Sequence, residues 1–221
     1  MPTILDEVEV RVLGSLVEKQ ITTPEYYPLT LNALVLACNQ KSNRHPVVAY
    51  DEAAVNRAIE TLRNKNLVYV FYGSTSRVPK YKHMMGEIFE LSQQELALMC
   101  VLMLRGAQTV GELRGRSDRL YDFRGLEEVE ETLRSLSSRE TQPLVTKLPR
   151  QAGQKETRYA HLLSGEVQID ETTGTEGTEE ASTHKSARGD RLKELEQEVE
   201  TLKAEVNGLR QQFEEFRKQF E

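Results

Sequence analysis

The chain has 221 residues, 38% apolar and 29% charged, with a formal net charge of −6; this suits one or two soluble domains and leaves no room for the roughly 18 uninterrupted apolar residues of a membrane-crossing helix. The N-terminus, MPTILDEVEVR, places acids where a secretory signal needs positive charge and an apolar core, so the expectation is a cytoplasmic protein with no membrane partner. Charge is uneven: the first 86 residues carry ten basic and eight acidic side chains, residues 87–164 eleven and twelve, and residues 165–221 eight and fifteen, so a polyanion would meet the first segment.

Asp6, with Glu9 three residues on, forms a capping box ahead of a helix whose apolar face is Val8, Val12, Leu13, Leu16 and Val17. Pro24 and Pro28 end it in TTPEYYP. Thr30 caps a second helix, with Leu31, Leu34, Val35 and Cys38 at helical spacing, and the polar stretch NQKSNRHP follows. Asp51 opens a third helix striped by Val55, Ala58, Ile59 and Leu62. LVYVFYG, the turn-rich STSRVP and KYKHMM then read as a β-hairpin. Three helices closed by a hairpin is the winged helix-turn-helix order.

The order repeats. Ser92 with Glu95 caps ELALMCVLMLR, apolar nearly all round and therefore a buried helix. Thr109 with Glu112 caps a short second helix, and Leu126, Val129, Leu133 and Leu136 stripe a third. PLVTKLPR, QAGQK and TRYAHLL supply a second hairpin. Thr61-Leu62-Arg63 answers Thr132-Leu133-Arg134, and Lys80-Tyr81-Lys82-His83-Met84 answers Arg158-Tyr159-Ala160-His161-Leu162. Two such echoes in one order point to an internal duplication.

Residues 165–189 turn to Thr, Glu, Gly and Ser, a composition that cannot offset its ordering entropy and predicts an acidic disordered linker. In residues 190–221, Leu192, Leu195, Val199, Leu202, Val206, Leu209, Phe213, Phe216 and Phe220 recur in steps of three and four. Val at a and Leu at d favour a parallel two-stranded coiled coil, so the chain is expected to pair with itself as a homodimer. Glu198 facing Lys203, and Glu205 facing Arg210, suit the same orientation. The three seam phenylalanines leave two- and three-stranded coils open. The fold class expected is thus mainly α with small β-hairpins (α+β): winged helices over 1–86 and 87–164, the linker over 165–189, and the coil over 190–221.

The strings TPEYYPLTLNALVLACNQKSNRHPV, LRGAQTVGELRGRSDRLYDF and LPRQAGQKETRYAHLLSGE, within residues 1–166, resemble the YceH-like family of bacterial proteins. The resemblance implies a tandem winged-helix fold and a bacterial cytosolic setting. It implies no activity and assigns no site residue.

A winged helix that binds duplex DNA lays its third helix in the major groove and touches phosphates with its wing. Asn56 and Arg57 are types that read adenine and guanine edges, and Arg63 lies on the same helix. Arg77, Lys80 and Lys82 fall in the wing, the two lysines on one face by alternation, and Lys41 and Arg44 in the loop before the helix. Against this stand Asp51 and Glu52 at the start of that helix, a long link between the second and third helices, and Glu127, Glu128, Glu130 and Glu131 on the duplicate helix. The expectation is a DNA-associated transcriptional regulator, with a protein–protein adaptor as the alternative.

No catalytic, metal or cofactor site is expected, for the sequence holds no HExxH, P-loop, G-x-S-x-G or CxxC. Cys38 and Cys100, in LVLACNQ and ALMCVLM, read as small buried hydrophobes. RGRSDR, Arg114 to Arg119, is basic and reads as a solvated loop, with an anion site as its alternative.

Overall fold

A computed structural model describes residues 4–72, 78–150 and 156–165. The predicted linker and coil, and the wing residue Arg77, lie outside the described residues. The fold is mixed α and β, with two small antiparallel sheets.

Helix α1 (Glu7–Thr22) starts at the expected cap: Asp6 accepts from the Glu9 amide at 2.8 Å, and the Glu9 carboxylate accepts from the Asp6 amide. Strand β1 (Leu29–Thr30) leads into α2 (Leu31–Cys38), capped by the Thr30 hydroxyl. Helix α3 (Glu52–Asn64) is capped by Asp51 and buries Val55, Ala58, Ile59 and Leu62, the four residues of its predicted stripe. Strands β2 (Val68–Phe71) and β3 (Lys80–His83) complete a sheet in the order β1-β3-β2.

The second half repeats this after a short helix α4 (Met85–Ile88), which ends the predicted strand at His83. Helix α5 (Gln93–Arg105), β4 (Gln108–Thr109), α6 (Val110–Ser117), α7 (Leu126–Ser137), β5 (Val145–Lys147) and β6 (Arg158–His161) follow, with sheet order β4-β6-β5. The capping boxes at Ser92 and Thr109 both form. The echoed letters occupy equivalent sheet positions: Leu29 faces Tyr81 as Gln108 faces Tyr159, and Val68 faces His83 as Val145 faces His161. The two-residue strands β1 and β4, each ending on the threonine that caps the next helix, are too short to leave an alternating pattern in the sequence.

One apolar core runs through both halves, centred on α1 and α5. Gly14 of α1 packs directly against α5. A Cβ there would lie 3.0 Å from Leu104 Cδ2 and 3.1 Å from Met103 Cβ, so only glycine fits without displacing a neighbour. The Cys100 thiol lies 3.6 Å from the Gly14 carbonyl oxygen. Both cysteines are buried and unpaired, and burial raises the thiol pKa of each, that of Cys38 to about 11.

Three expectations need correction. Helix α1 is buried on all sides from Glu9 to Glu18, while Val8 is only partly covered, because α5 and α2 take the faces that a lone amphipathic helix would leave to water. Leu126 is 50% exposed and Thr132 is buried in the α7 stripe instead; Leu126 is the first helical residue, on the turn beyond the core. RGRSDR is not a loop over its first half, since Arg114 to Ser117 form the last turn of α6.

Candidate nucleic-acid interface

The buried charges decide which cations are left for a ligand. Arg44, expected at the surface, is buried, with none of its side chain exposed. Its Nη2 and Nη1 donate to the two Glu18 carboxylate oxygens at 2.7 and 3.1 Å, and Nε and Nη2 donate to the Ala37 carbonyl at 3.2 and 2.9 Å. It satisfies a C-terminal carbonyl of α2 and anchors the following loop to α1. It is removed from the set of phosphate contacts. Burial pushes the Glu18 pKa up, but Arg44 and Lys19 outweigh that and hold it below the usual carboxylate range.

Arg11, also buried, donates to the Cys38 carbonyl at 3.2 Å and the Pro46 carbonyl at 2.7 Å. Asn39 and Tyr50 close the loop by two reciprocal hydrogen bonds of 2.8 Å. The His45 amide donates to the Leu104 carbonyl of the other half at 2.9 Å. The polar run that separates α2 from α3 is therefore a braced structural segment, from which Lys41 projects into solvent.

On α3, Arg57 and Arg63 are exposed and Asn56 is half-buried. Glu52 and Glu60 are exposed on the same helix, so its outer face carries both signs. On the hairpin, alternation puts Lys80 and Lys82 on the outer face and buries Tyr81 and His83 on the inner one. Lys82 is not a free cation, for its Nζ lies 3.1 Å from Glu87 Oε1. Among the described residues the side chains of Lys41, Arg57, Arg63 and Lys80 make no ion pair or hydrogen bond.

The aromatic residues of this face were not among the expected contacts. Tyr69 stands opposite Lys82 and Phe71 opposite Lys80, and Tyr69, Phe71 and Tyr72 are 59%, 47% and 68% exposed. The alternation in VYVFY was the available signal: once Val68 and Val70 face the core, Tyr69 and Phe71 must face out. At the equivalent position the second sheet places Thr146 opposite Ala160. On α7, Glu127, Glu130 and Glu131 are exposed. Glu128 accepts from the Arg124 amide at 2.8 Å, which lowers its pKa.

The family described as "Protein of unknown function, DUF480" matches residues 5–154. The chain belongs to this family. It is the YceH-like family that the quoted strings resemble, and its curated members carry the name UPF0502 protein. The UPF0502 protein of Opitutus terrae is 58% identical over 166 residues, covering 75% of this chain and 72% of that protein. Those of Pelobacter propionicus and Geobacter sulfurreducens are 49% and 51% identical over 221 residues, covering 100% of each chain. Among the described residues of this UPF0502 chain, no helix is long and apolar enough to cross a membrane.

Proposed function

We propose that the chain is a homodimeric, DNA-associated regulator whose first half, a winged helix, docks on duplex DNA. The order helix, strand, helix, helix, strand, strand, with the last strand central in the sheet, supports a winged-helix reading of both halves. The observation that carries DNA association is the set of cations that make no ion pair or hydrogen bond among the described residues, Arg57 and Arg63 on α3 with Lys80 on β3 and Lys41 in the loop. The acidic outer face of α7 makes the second half the poorer partner for phosphate.

Binding of the full chain to a random duplex of about 30 base pairs tests this by fluorescence anisotropy. Four phosphate contacts should cost roughly a hundredfold in affinity between about 50 and 200 mM salt. Lys80→Ala should weaken binding to all sequences and lower the salt slope by about one, while Arg57→Ala should also blunt discrimination between sequences. Absence of binding at the lower salt overturns the proposal.

A second reading, a protein–protein adaptor, is favoured by Tyr69, Phe71 and Tyr72, because exposed aromatic clusters suit protein partners. It predicts no steep salt dependence and a loss of partner binding in Phe71→Ala.

The self-pairing part of the proposal rests on the heptad seam from Leu192 to Phe220. Removing residues 190–221 is expected to convert the protein to a monomer in sedimentation equilibrium. A truncated chain that still sediments as a dimer refutes the coil as the dimer contact.

A further inference from the structure

A narrow cavity of about 40 Å3 opens where the two halves meet, with Glu18, Thr22 and Asn43 on one side and Arg105, Arg116 and Arg119 on the other. Cys100, Val101, Leu104 and Leu120 also line it. Its charge does not balance locally. Glu18 is already neutralised by Arg44 behind it. Arg116 pairs with Glu112 at 3.3 Å and donates to Gln108. Arg105 donates only to the neutral Asn43 side chain, and Arg119 makes no ion pair or hydrogen bond among the described residues. Two guanidiniums thus lack a direct ion pair among the described residues, beside a third and close to apolar side chains. Burial, together with the like charges of Arg116 and Arg44, lowers the Arg105 pKa, and Glu18 and Glu112 only partly oppose this.

Guanidiniums that outnumber the carboxylates beside them match the fork geometry of phosphate oxygens. A water needs roughly 10–15 Å3 of such space, so this volume suits one tetrahedral oxyanion and is too small for a nucleobase. We propose that this crevice binds one phosphate group through Arg105, Arg116 and Arg119. The group is either that of a small phosphate ester or a backbone phosphate of nucleic acid. Because the lining comes from both halves, the bound anion would bridge α1 to α5 and α6 and stabilise the whole unit.

The test uses the full chain, with inorganic phosphate and pyrophosphate as probes and chloride at matched ionic strength as the control. Melting temperature should rise by a few degrees in about 10 mM phosphate and stay level in chloride. Arg119→Ala, an exposed position whose change leaves the core untouched, should weaken phosphate about tenfold in calorimetric titration. Arg105→Gln, which keeps a donor for Asn43, should do the same. A rise equal to that in chloride overturns the proposal, as does an affinity unchanged in both variants. Competition with a 20-base-pair duplex separates the two sources. If the duplex displaces phosphate and Arg119→Ala weakens both, the site takes a backbone phosphate. If phosphate binds undisturbed by saturating duplex, it takes a free ester.

Discussion

Arg44→Ala is expected to destabilise the protein by about 3–5 kcal/mol, a large share of the 5–15 kcal/mol of a typical domain. The cost comes less from the lost attraction than from what stays behind. Glu18 would keep its buried carboxylate with only Lys19, 3.5 Å away, to offset it. The Ala37 carbonyl, which accepts two of the Arg44 hydrogen bonds, would be orphaned near the end of α2. Arg44→Lys keeps the charge but cannot span two carboxylate oxygens and a carbonyl together, so it should fall between alanine and the native protein. Joint replacement by Glu18→Leu and Arg44→Met removes both buried charges and should recover most of the loss. Urea midpoints followed by circular dichroism measure all three. A single-variant loss under about 1 kcal/mol would mean that the pair is screened like a surface salt bridge. Since Arg44 faces no solvent, the variant that remains folded should show the native salt dependence toward DNA.

What could be read in the sequence divides along local and non-local physics. Caps and stripes are local, and those at Asp6, Thr30, Asp51, Ser92 and Thr109 form where the residues placed them. The repeated order was legible because its echoed letters, Tyr81 and Tyr159 among them, hold equivalent positions in the two sheets. Burial of charge was not legible. Glu9, Arg11 and Glu18 lie on a helix whose apolar face looked sufficient, and only contact with α5 and the loop shows why those charges are inside. Glu9 is met by Lys65 at 2.7 Å, and the backbone carbonyls of Cys38 and Pro46 hold Arg11. Arg44 went wrong for the same reason: a polar run looks solvated unless its partners, distant in sequence, are known. The phosphate crevice is composite in this way too, for its arginines come from RGRSDR and the end of α5, while Asn43 comes from the first half.

The duplicated histidines are expected to make the protein acid-labile well above the range where carboxylates titrate. His83 is buried at the end of β3, where its Nδ1 accepts from the Met85 amide at 3.3 Å and its Nε2 has no partner. His161, its counterpart on β6, has an Nδ1 sealed from solvent and likewise without a partner. The acceptor role at Nδ1 assigns the His83 proton to Nε2 and leaves no lone pair for a second proton without breaking that bond. Burial lowers both pKa values from the ordinary 6.5 to about 4. Glu87 partly opposes the shift at His83 and Lys82 adds to it. Between those two values the unfolded chain binds protons that the folded chain refuses. Stability is therefore fully present above pH 6.5 and falls as pH drops toward 4, by up to about 3 kcal/mol for each histidine. Glu9, Glu18 and Glu87, whose pKa values lie below the ordinary carboxylate value, withdraw their contribution only at lower pH, so the two windows separate. Urea unfolding at pH 7.5, 6.5, 5.5 and 4.5 should show a steady decline in the native protein. His83→Asn keeps an acceptor near the Met85 amide, and with His161→Leu it should flatten the decline. Parallel curves for the native and doubly substituted proteins would show that neither ring stays neutral inside the fold.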